Sequence, residues 1–305
     1  MAADFNSLFE LMEAIPDEQA AIDHFTAIRW KNCEFCPYCG ATKVYHFTDK
    51  RTHKCGECRQ RFSIKVGTIF EDTKIPLRKW FMAIWLITSH KKGIASTQLA
   101  KDIKVTQKTA WFMLHRLRHA IRTQSFNRPL GGTVEMDETY IGGKVKNMHA
   151  HKRPKGAQGG AGKAVVFGIL ERGGELRAAP VADSHRATLE PIIIANVQPG
   201  TTINTDEANA YKMLSAVGPY RHYMVNHHAK EYARGEYHVN SIEGFWALLK
   251  RQIIGIHHWV SGQHLFRYVG EAAWRYNLRG IAEGSRFDAL LSQATGRLTY
   301  KALIS

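Results

Sequence analysis

All five cysteines of this chain lie within 26 consecutive residues, and this clustering constrains the fold more than any other sequence feature. Cys36-Pro-Tyr-Cys39 and Cys55-Gly-Glu-Cys58 are two C-x2-C knuckles separated by fifteen residues. Four thiolates in two such knuckles are a common ligand set of tetrahedral zinc, especially in a reducing compartment. The pattern therefore predicts a zinc ribbon over residues 31–70, with Cys33 as a spare thiol. Because a closed four-sulfur site has no open position, we expect this zinc to be structural.

The charge balance of the chain favours a polyanionic partner. The sequence has 42 Lys and Arg against 27 Asp and Glu, a formal net charge of +15 and a pI near 9.6. Each phosphate that is neutralised releases counterions, so this surplus favours DNA, although a merely basic protein is the alternative. No apolar run reaches ~18 residues and no signal-peptide pattern opens the chain. We therefore expect a cytoplasmic protein without a membrane partner, associated with the nucleoid when it binds DNA.

Local patterns divide the chain into regions. Residues 1–30 predict two helices, the second capped by Asp17. From about residue 130 to residue 290, strands alternate with helices, which predicts an α/β domain. Within it, residues 142–163 are rich in Gly and basic residues and poor in apolar ones, which predicts a mobile, positively charged loop.

Residues 75–125 resemble a helix-turn-helix DNA-binding segment. Thr106 is the predicted cap of its third helix, and Lys108, Arg116 and Arg118 occupy predicted polar positions of that helix. Such a helix could lie in a major groove, where its early residues would meet base edges and its later ones phosphates. A packing helix with solvated basic positions is the alternative interpretation.

The segment from His238 to Lys250 separates into two faces when it is drawn as a helix of about 100° per residue. One face is apolar. Asn240, Glu243 and Lys250 gather on the other face, with Ala247 between them. An acid and a base two turns apart suit a surface that meets a metal ion and a phosphate, whereas the alternative is an ordinary solvated face.

Two further acids lie on predicted strands. Asp137 shares a strand face with Glu135, and Asp206 ends a strand at the position where α/β sheets place ligands. Either acid alone could be a cap or turn residue. Together with Glu243, however, they form a set of three carboxylates that can hold two divalent cations roughly 4 Å apart for phosphodiester chemistry. Mg²⁺ or Mn²⁺ is the expected cofactor because hard cations prefer oxygen ligands.

The chain is similar to the DDE-type insertion-sequence transposases that begin with a zinc ribbon, the ISXO-like group. The resemblance covers nearly the whole length. It rests on Arg29-Trp30, the CPYCG and CGECRQRFS knuckles, Gly67-Thr-Ile-Phe-Glu, Glu135-Met-Asp-Glu-Thr-Tyr-Ile-Gly-Gly143, Thr205-Asp-Glu and His238-Val-Asn-Ser-Ile-Glu-Gly-Phe-Trp-Ala-Leu-Leu-Lys-Arg251.

The resemblance implies an RNase H-like catalytic domain over residues 130–290, a mixed sheet with helices on both sides. Asp137 and Asp206 are the implied first two ligands of the catalytic metal. In parts of this group an Asn is the third member, which leaves both Asn240 and Glu243 as candidates. We favour Glu243, because an ionised carboxylate binds Mg²⁺ better than an amide does. Asn240 would then be a supporting ligand or an orienting residue.

The implied activity is that of a transposase acting on double-stranded DNA, usually as a homo-oligomer on paired ends. Water frees a 3′-hydroxyl at the transposon end, and that hydroxyl attacks the target DNA. Lys250 is implied to hold a DNA phosphate, and Arg251 is assigned to the same DNA-binding surface. The rival interpretations are a DNA-binding regulator with a retired catalytic domain and a hydrolytic nuclease that never joins DNA. His238 is a candidate for assisting water activation, whereas Tyr140 and Tyr211 are expected to pack or to stack on DNA.

Overall fold

The computed structural model describes residues 5–121, 128–143, 149, 151, 162–211, 214, 219–225 and 235–305. The chain divides into two compact units. The first comprises Met1–Thr123 and Gly280–Ser305, and the second comprises Gln124–Arg279. Most of the loop that the sequence predicts to be mobile, residues 142–163, lies outside the described residues.

The first unit combines helices with a small three-stranded sheet. Its elements, numbered in chain order, are α1 (Leu8–Ala14), α2 (Glu18–Arg29), β1 (Val44–His46), β2 (Thr52–Cys55), β3 (Arg61–Ser63), α3 (Leu77–Ser89), α4 (Ser96–Asp102), α5 (Gln107–Ile121), α9 (Glu283–Ser292) and α10 (Tyr300–Ile304). The sheet is antiparallel in the order β1-β2-β3. Asp17 caps α2 as predicted, because its carboxylate accepts a hydrogen bond from the Ala20 amide at 2.8 Å.

Two distant segments stabilise α3 in this unit. Pro76 precedes the helix and offers no capping side chain, so the Glu18 carboxylate accepts the Leu77 and Arg78 amides at 2.8 and 3.0 Å. Phe287 of α9 packs edge to face on Phe81, with 5.2 Å between ring centroids. The C-terminal residues therefore complete the core of the first unit, whereas the expected catalytic domain extended to residue 290.

The second unit is built on a five-stranded sheet. Its elements are β4 (Thr133–Ile141), β5 (Ala164–Glu171), β6 (Leu176–Val181), α6 (Arg186–Asn196), β7 (Thr202–Thr205), a 3-10 turn (Asn209–Tyr211), β8 (Arg221–Met224), α7 (Asn240–Arg251), a π-helical segment (Gln252–His257) and α8 (Gly262–Asn277). The strand order is β6-β5-β4-β7-β8. The strands from β6 to β4 pair antiparallel, and β4, β7 and β8 pair parallel.

Helices cover both faces of this sheet, because alternate residues of the strands point to opposite sides. Val166 and Leu170 pack with α7 and α8 on one face. Phe167 and Ile169 pack with α6 on the other, together with Val134 and Met136 of β4. The predicted α/β class is confirmed as a mixed, RNase H-like sheet between two helical layers. The face with α7 also receives Glu135 and Asp137.

Candidate active site and zinc site

Four cysteine sulfurs converge in the small sheet of the first unit. The Sγ atoms of Cys36, Cys39, Cys55 and Cys58 all lie within 4.8 Å of one another. The separations of the pairs Cys36–Cys58 and Cys39–Cys55 are 3.7 and 3.6 Å. A tetrahedron with zinc–sulfur bonds of 2.3 Å has an edge of about 3.8 Å, whereas a disulfide bond measures about 2.0 Å. The sulfur arrangement thus fits one zinc ion, as the knuckles predict.

The local backbone supports this arrangement. The Tyr38 amide donates to the sulfur of Cys36 at 3.4 Å, and the Glu57 amide donates to the sulfur of Cys55 at 3.3 Å. Cys33 is exposed and is outside the four-sulfur group. The site is closed by four sulfurs and serves structure, since a ribbon of short strands has little core of its own.

Strand register brings two of the predicted catalytic acids together in the second unit. Glu135 of β4 pairs with Asn204 of the parallel strand β7. Two residues further along each strand, Asp137 is therefore level with Asp206, and adjacent strands are about 4.8 Å apart. Asp206 follows β7 directly, and its carboxylate accepts the Ala208 amide at 3.0 Å. The loop after β7 is thus turned by the same side chain that faces Asp137.

The two carboxylates interact strongly. Burial, followed by the negative charges of Asp206 and Glu138, raises the pKa of Asp137 to about 8. Burial also raises the pKa of Glu138, with a further contribution from Asp206. The hydroxyl of Tyr211 donates a hydrogen bond to Glu138, and burial raises the pKa of this tyrosine. Tyr211 was expected to pack or to stack on DNA. It is fully buried, so it packs.

Helix α7 reaches Asp137 through Trp246. The indole Nε1 donates to the Asp137 carboxylate at 2.9 Å. The same ring lies over Gly168, the β5 residue paired with Asp137, where an added Cβ would come within 2.7 Å of the ring. Because any larger residue at position 168 would displace the indole, the glycine permits the helix to approach the sheet.

Glu135 attaches the start of α7 to the sheet. This fully buried carboxylate accepts the Ser241 and Ile242 amides at 2.9 and 3.1 Å and the Ser241 hydroxyl at 3.0 Å. The Arg172 guanidinium donates to it at 2.7 Å. Val239, which precedes the helix, cannot cap it, so an acid 106 residues away from Ser241 satisfies the first amides.

Sequence reasoning assigned Glu135 no role. The available signal was the pairing of a strand acid at i with a second acid at i+2, together with a helix that lacks its own capping residue. His238 lies beside the same carboxylate, with Nδ1 3.4 Å from an oxygen of Glu135. The structure thus places His238 at the anchor of α7.

The remaining predicted residues of this site lie along the exposed side of α7. Asn240, Glu243, Lys250 and Arg251 are all exposed. Glu243 precedes Trp246 by three residues, which is about 60° around the helix, so it projects near the side chain that contacts Asp137. Among the described residues, only the four cysteines form a group of three or more potential ligands within 4.8 Å. Asp137, Asp206 and Glu243 do not form such a group.

Comparisons with known proteins show to which family this chain belongs. An ISXO2-like transposase domain matches residues 129–277, and a transposase zinc-ribbon domain matches residues 16–61. An uncharacterized protein in transposable element ISH50 of Halobacterium salinarum is 30% identical over 266 residues, which is 83% of this chain and 88% of the relative. The chain belongs to the ISXO2-like transposase family. This assignment confirms the resemblance seen in the sequence motifs.

Solved transposase structures show a weaker similarity to this transposase. A pre-cleavage Mos1 transpososome matches 75% of this chain and 82% of its own, at 13% identity and a TM-score of 0.27. A Mos1 strand transfer complex matches 74% and 81%, at 14% identity and a TM-score of 0.25. Because these TM-scores are low, the fold of the second unit is assigned from the strand order of its five-stranded sheet and not from these structures. Within the described part of the transposase, no helix is long and apolar enough to cross a membrane.

Two residues of the predicted DNA-reading helix were assigned wrongly. Arg116 and Arg118 are buried in the first unit of the transposase. The Arg116 guanidinium donates to the carbonyl groups of Leu298 and Ile69 at 3.1 and 2.8 Å, so it binds the protein's own backbone. A helical periodicity identifies polar positions but cannot show which of them are buried by other segments of the chain. Lys108, in the first turn of α5, is exposed as predicted.

Proposed function

We propose that this insertion-sequence transposase cleaves the 3′ ends of its element and joins them to target DNA, using Asp137, Asp206 and Glu243. The pairing of Asp137 with Asp206 on neighbouring strands supports this proposal most directly. Burial and the nearby charges of Asp206 and Glu138 raise the pKa of Asp137 to about 8, so an ionised Asp137 lowers the stability of the fold. Acids with pKa values perturbed in this way are typical of functional sites.

The acids suit Mg²⁺ or Mn²⁺. They offer only hard oxygen ligands, and the repulsion between Asp137, Glu138 and Asp206 is what a divalent cation would relieve. Asp137 and Asp206 would hold the metal with Glu243, and Asn240 would support or orient that set. A pair of metal ions about 4 Å apart can be shared by acids that do not all converge on a single ion. When bound, such ions activate the attacking oxygen and stabilise the leaving one.

The protein's own groups would position this chemistry. Trp246 donates its indole N–H to one oxygen of Asp137 and the Glu138 amide donates to the other at 2.8 Å, so both oxygens are oriented, and each keeps a further lone pair for a metal ion. Glu135 fixes the start of α7 and therefore the height of Glu243 above the sheet. Lys250 and Arg251, about two turns beyond Glu243, would bind phosphates of the DNA strand.

We propose double-stranded DNA as the partner, bound by residues of both units. In the first unit, Lys108 and the exposed first turn of α5 would meet base edges, as recognition helices do. The proposed domains are N-terminal helices over residues 1–30, a zinc ribbon over 31–70, a DNA-binding helix-turn-helix over 75–125 and a catalytic domain that begins near 130. Assembly of a homo-oligomer on paired ends belongs to the same proposal.

Strand transfer in vitro tests the proposed activity. A DNA fragment carrying the ends of the element would be incubated with the full chain, Mg²⁺ and a target plasmid. Asp137→Ala and Asp206→Ala should each abolish joined products, whereas Glu190→Ala, on exposed α6, should leave them unchanged. Comparing Asn240→Ala with Glu243→Gln identifies the third ligand as the residue whose loss stops turnover.

The rival activities give different products in the same assay. A hydrolytic nuclease would yield nicked DNA without joining, and a DNA-binding regulator would shift the DNA without cutting it. Unchanged strand transfer by Asp137→Ala would contradict the assignment of the site.

A further inference from the structure

The exposed side of α7 continues beyond the helix and ends on an unusually exposed tryptophan. The side chain of Ile254 in the π-helical segment is 66% exposed, and Trp259, two residues after that segment ends, is 71% exposed. Burial of an indole is strongly favourable, so an indole left in water at a defined position calls for an explanation.

The backbone on both sides of Trp259 is anchored. Ile253 is buried in the core that α7 and α8 share, and Val260 packs against the same core. Between these anchors, His258 has φ +61° and ψ −43°, a conformation that is rare for a residue with a Cβ. The chain thus turns outward at a strained residue and presents the indole to solvent. Strain of this kind and π-helical segments are both frequent at functional sites.

The chain segment that contains this tryptophan is basic. The 27 residues from Gly244 to Gly270 contain no Asp or Glu, but they contain Lys250, Arg251 and Arg267 and three histidines. Lys250 and Arg251 are exposed on the helix that leads to the tryptophan. A symmetric contact with a second copy would bring these cations against their own counterparts. A polyanion with flat apolar faces is the better complement, and DNA bases have such faces.

We propose that Trp259 stacks on an unpaired or unstacked DNA base while Lys250 and Arg251 bind the adjacent phosphates. The proposal rests on the proposed function, because it extends the DNA path from Glu243. At about 1.5 Å per residue, the eight residues from Glu243 to the end of α7 at Arg251 already span roughly 12 Å, more than three base steps of about 3.4 Å, and Trp259 lies beyond that end of the helix. The base on Trp259 is therefore a flanking base, separate from the one at the reacting phosphate.

Binding of single strands with and without bases tests this proposal. The full, zinc-loaded chain would be titrated, without Mg²⁺, into a fluorescein-labelled 20-nucleotide oligo(dT) and into an abasic tetrahydrofuran strand of the same length. Fluorescence anisotropy gives both dissociation constants. Trp259→Ala should weaken oligo(dT) binding about tenfold, which is within the range for loss of one stacked base. It should change binding of the abasic strand less than twofold.

Matched variants distinguish stacking from other effects. Trp259→Phe should retain most of the affinity for oligo(dT), and Ile194→Ala, a similarly exposed apolar residue on α6 across the sheet, should have no effect. Lys250→Ala should weaken both strands equally. Since the assay contains no Mg²⁺ and measures no joining, its result is independent of whether strand transfer occurs.

Three outcomes would overturn the inference. The first is unchanged binding of oligo(dT) by Trp259→Ala, and the second is an equal loss on both strands. The third is a shift of Trp259→Ala to a smaller species in light scattering with unchanged DNA affinity, which would identify the surface as a contact between copies.

Discussion

At the scale of single residues, the candidate site places charge where folding alone would not favour it. Asp137 lies between two acids, Asp206 and Glu138, under a helix that buries it. Glu135, two residues earlier on the same strand face, is also buried but is fully paired by Arg172 and the amides of α7. The two acids therefore have opposite effects on stability, although their positions in the sequence are similar.

Asp137→Asn should stabilise the metal-free protein. The folded-state pKa of Asp137, about 8, is raised above its ordinary value of 3.8, so wild-type stability falls as the pH rises from about 4 to about 8. The substitution removes this loss, and the gain in melting temperature should grow over that range and level off above it. Thermal unfolding between pH 5 and pH 9 without divalent metal measures the effect. A gain that is equal at all these pH values would contradict the assigned pKa.

Glu135→Ala should destabilise the second unit by about 3–5 kcal/mol, because it leaves Arg172 and two helix amides without their buried partner. Glu190→Ala is the matched control, since Glu190 pairs with Arg186 on an exposed helix surface and should contribute under about 1 kcal/mol. Urea denaturation followed by circular dichroism compares the two variants. Equal stabilities would show that Glu135 does not anchor α7.

At the scale of elements, helices in this protein receive caps from distant parts of the chain. Glu18 of α2 caps α3, and Glu135 of β4 caps α7. In each case the residue before the helix, Pro76 or Val239, has no side-chain acceptor. Each cap therefore also joins two elements, and the position of one depends on the other.

Gly168→Ala should weaken the contact between β5 and α7. The new Cβ would lie 2.7 Å from the Trp246 ring, which cannot move without losing its hydrogen bond to Asp137. We expect a cost of about 1–3 kcal/mol in the free energy of unfolding, together with reduced strand transfer. Gly270→Ala, in α8 with no neighbour within 4 Å of an added Cβ, should be neutral or stabilising in the same measurements. A stable and active Gly168→Ala variant would refute the steric argument.

The zinc ribbon should depend on Cys58 and be independent of Cys33. Cys58→Ser removes one of four converging sulfurs, whereas Cys33 lies outside that group. We expect the first variant to lose most of its zinc and the second to retain about one equivalent, as measured by mass spectrometry of the purified proteins. Loss of zinc from Cys33→Ser alone would assign the ligands differently.

At the scale of the whole molecule, the chain leaves its first unit, builds the second and returns to the first. The returning residues Gly280–Ser305 contribute Phe287, which contacts Phe5 and Phe81 at ring-centroid distances of 5.2 Å. The first unit is therefore complete only when the C-terminal helices have joined it.

Phe287→Ala should destabilise the first unit by about 3–5 kcal/mol through the cavity that it leaves. Hydrogen exchange should accelerate in α3 while β4 and β5 keep their protection. Ile304→Ala, at an exposed position of α10, is the control and should change neither. Equal loss of protection in both units would contradict the division of the chain.

The sequence by itself determined the features whose chemistry is local or repetitive. Knuckle spacing is set within a few residues, so the four cysteines that converge were identified from the sequence. Strand alternation separates Glu135 and Asp137 from Val134 and Met136, and this assignment is confirmed by the two cores. The α/β class and most element positions follow from the same periodicity, and the family follows from the ordered motifs.

Only the tertiary structure decided which polar residues meet solvent and which are buried. Arg116 follows the polar pattern of an exposed helix, yet its guanidinium is buried against the carbonyl groups of Ile69 and Glu71 and of Leu298 in the returning C-terminal segment. Three other features also depend on how elements far apart in the chain pack together. They are the cap that Glu135 provides to α7, the hydrogen bond from Trp246 to Asp137 and the exposure of Trp259. Periodicity reports the faces of an element, but burial and pairing are set by what packs against each face, and that requires long-range contacts.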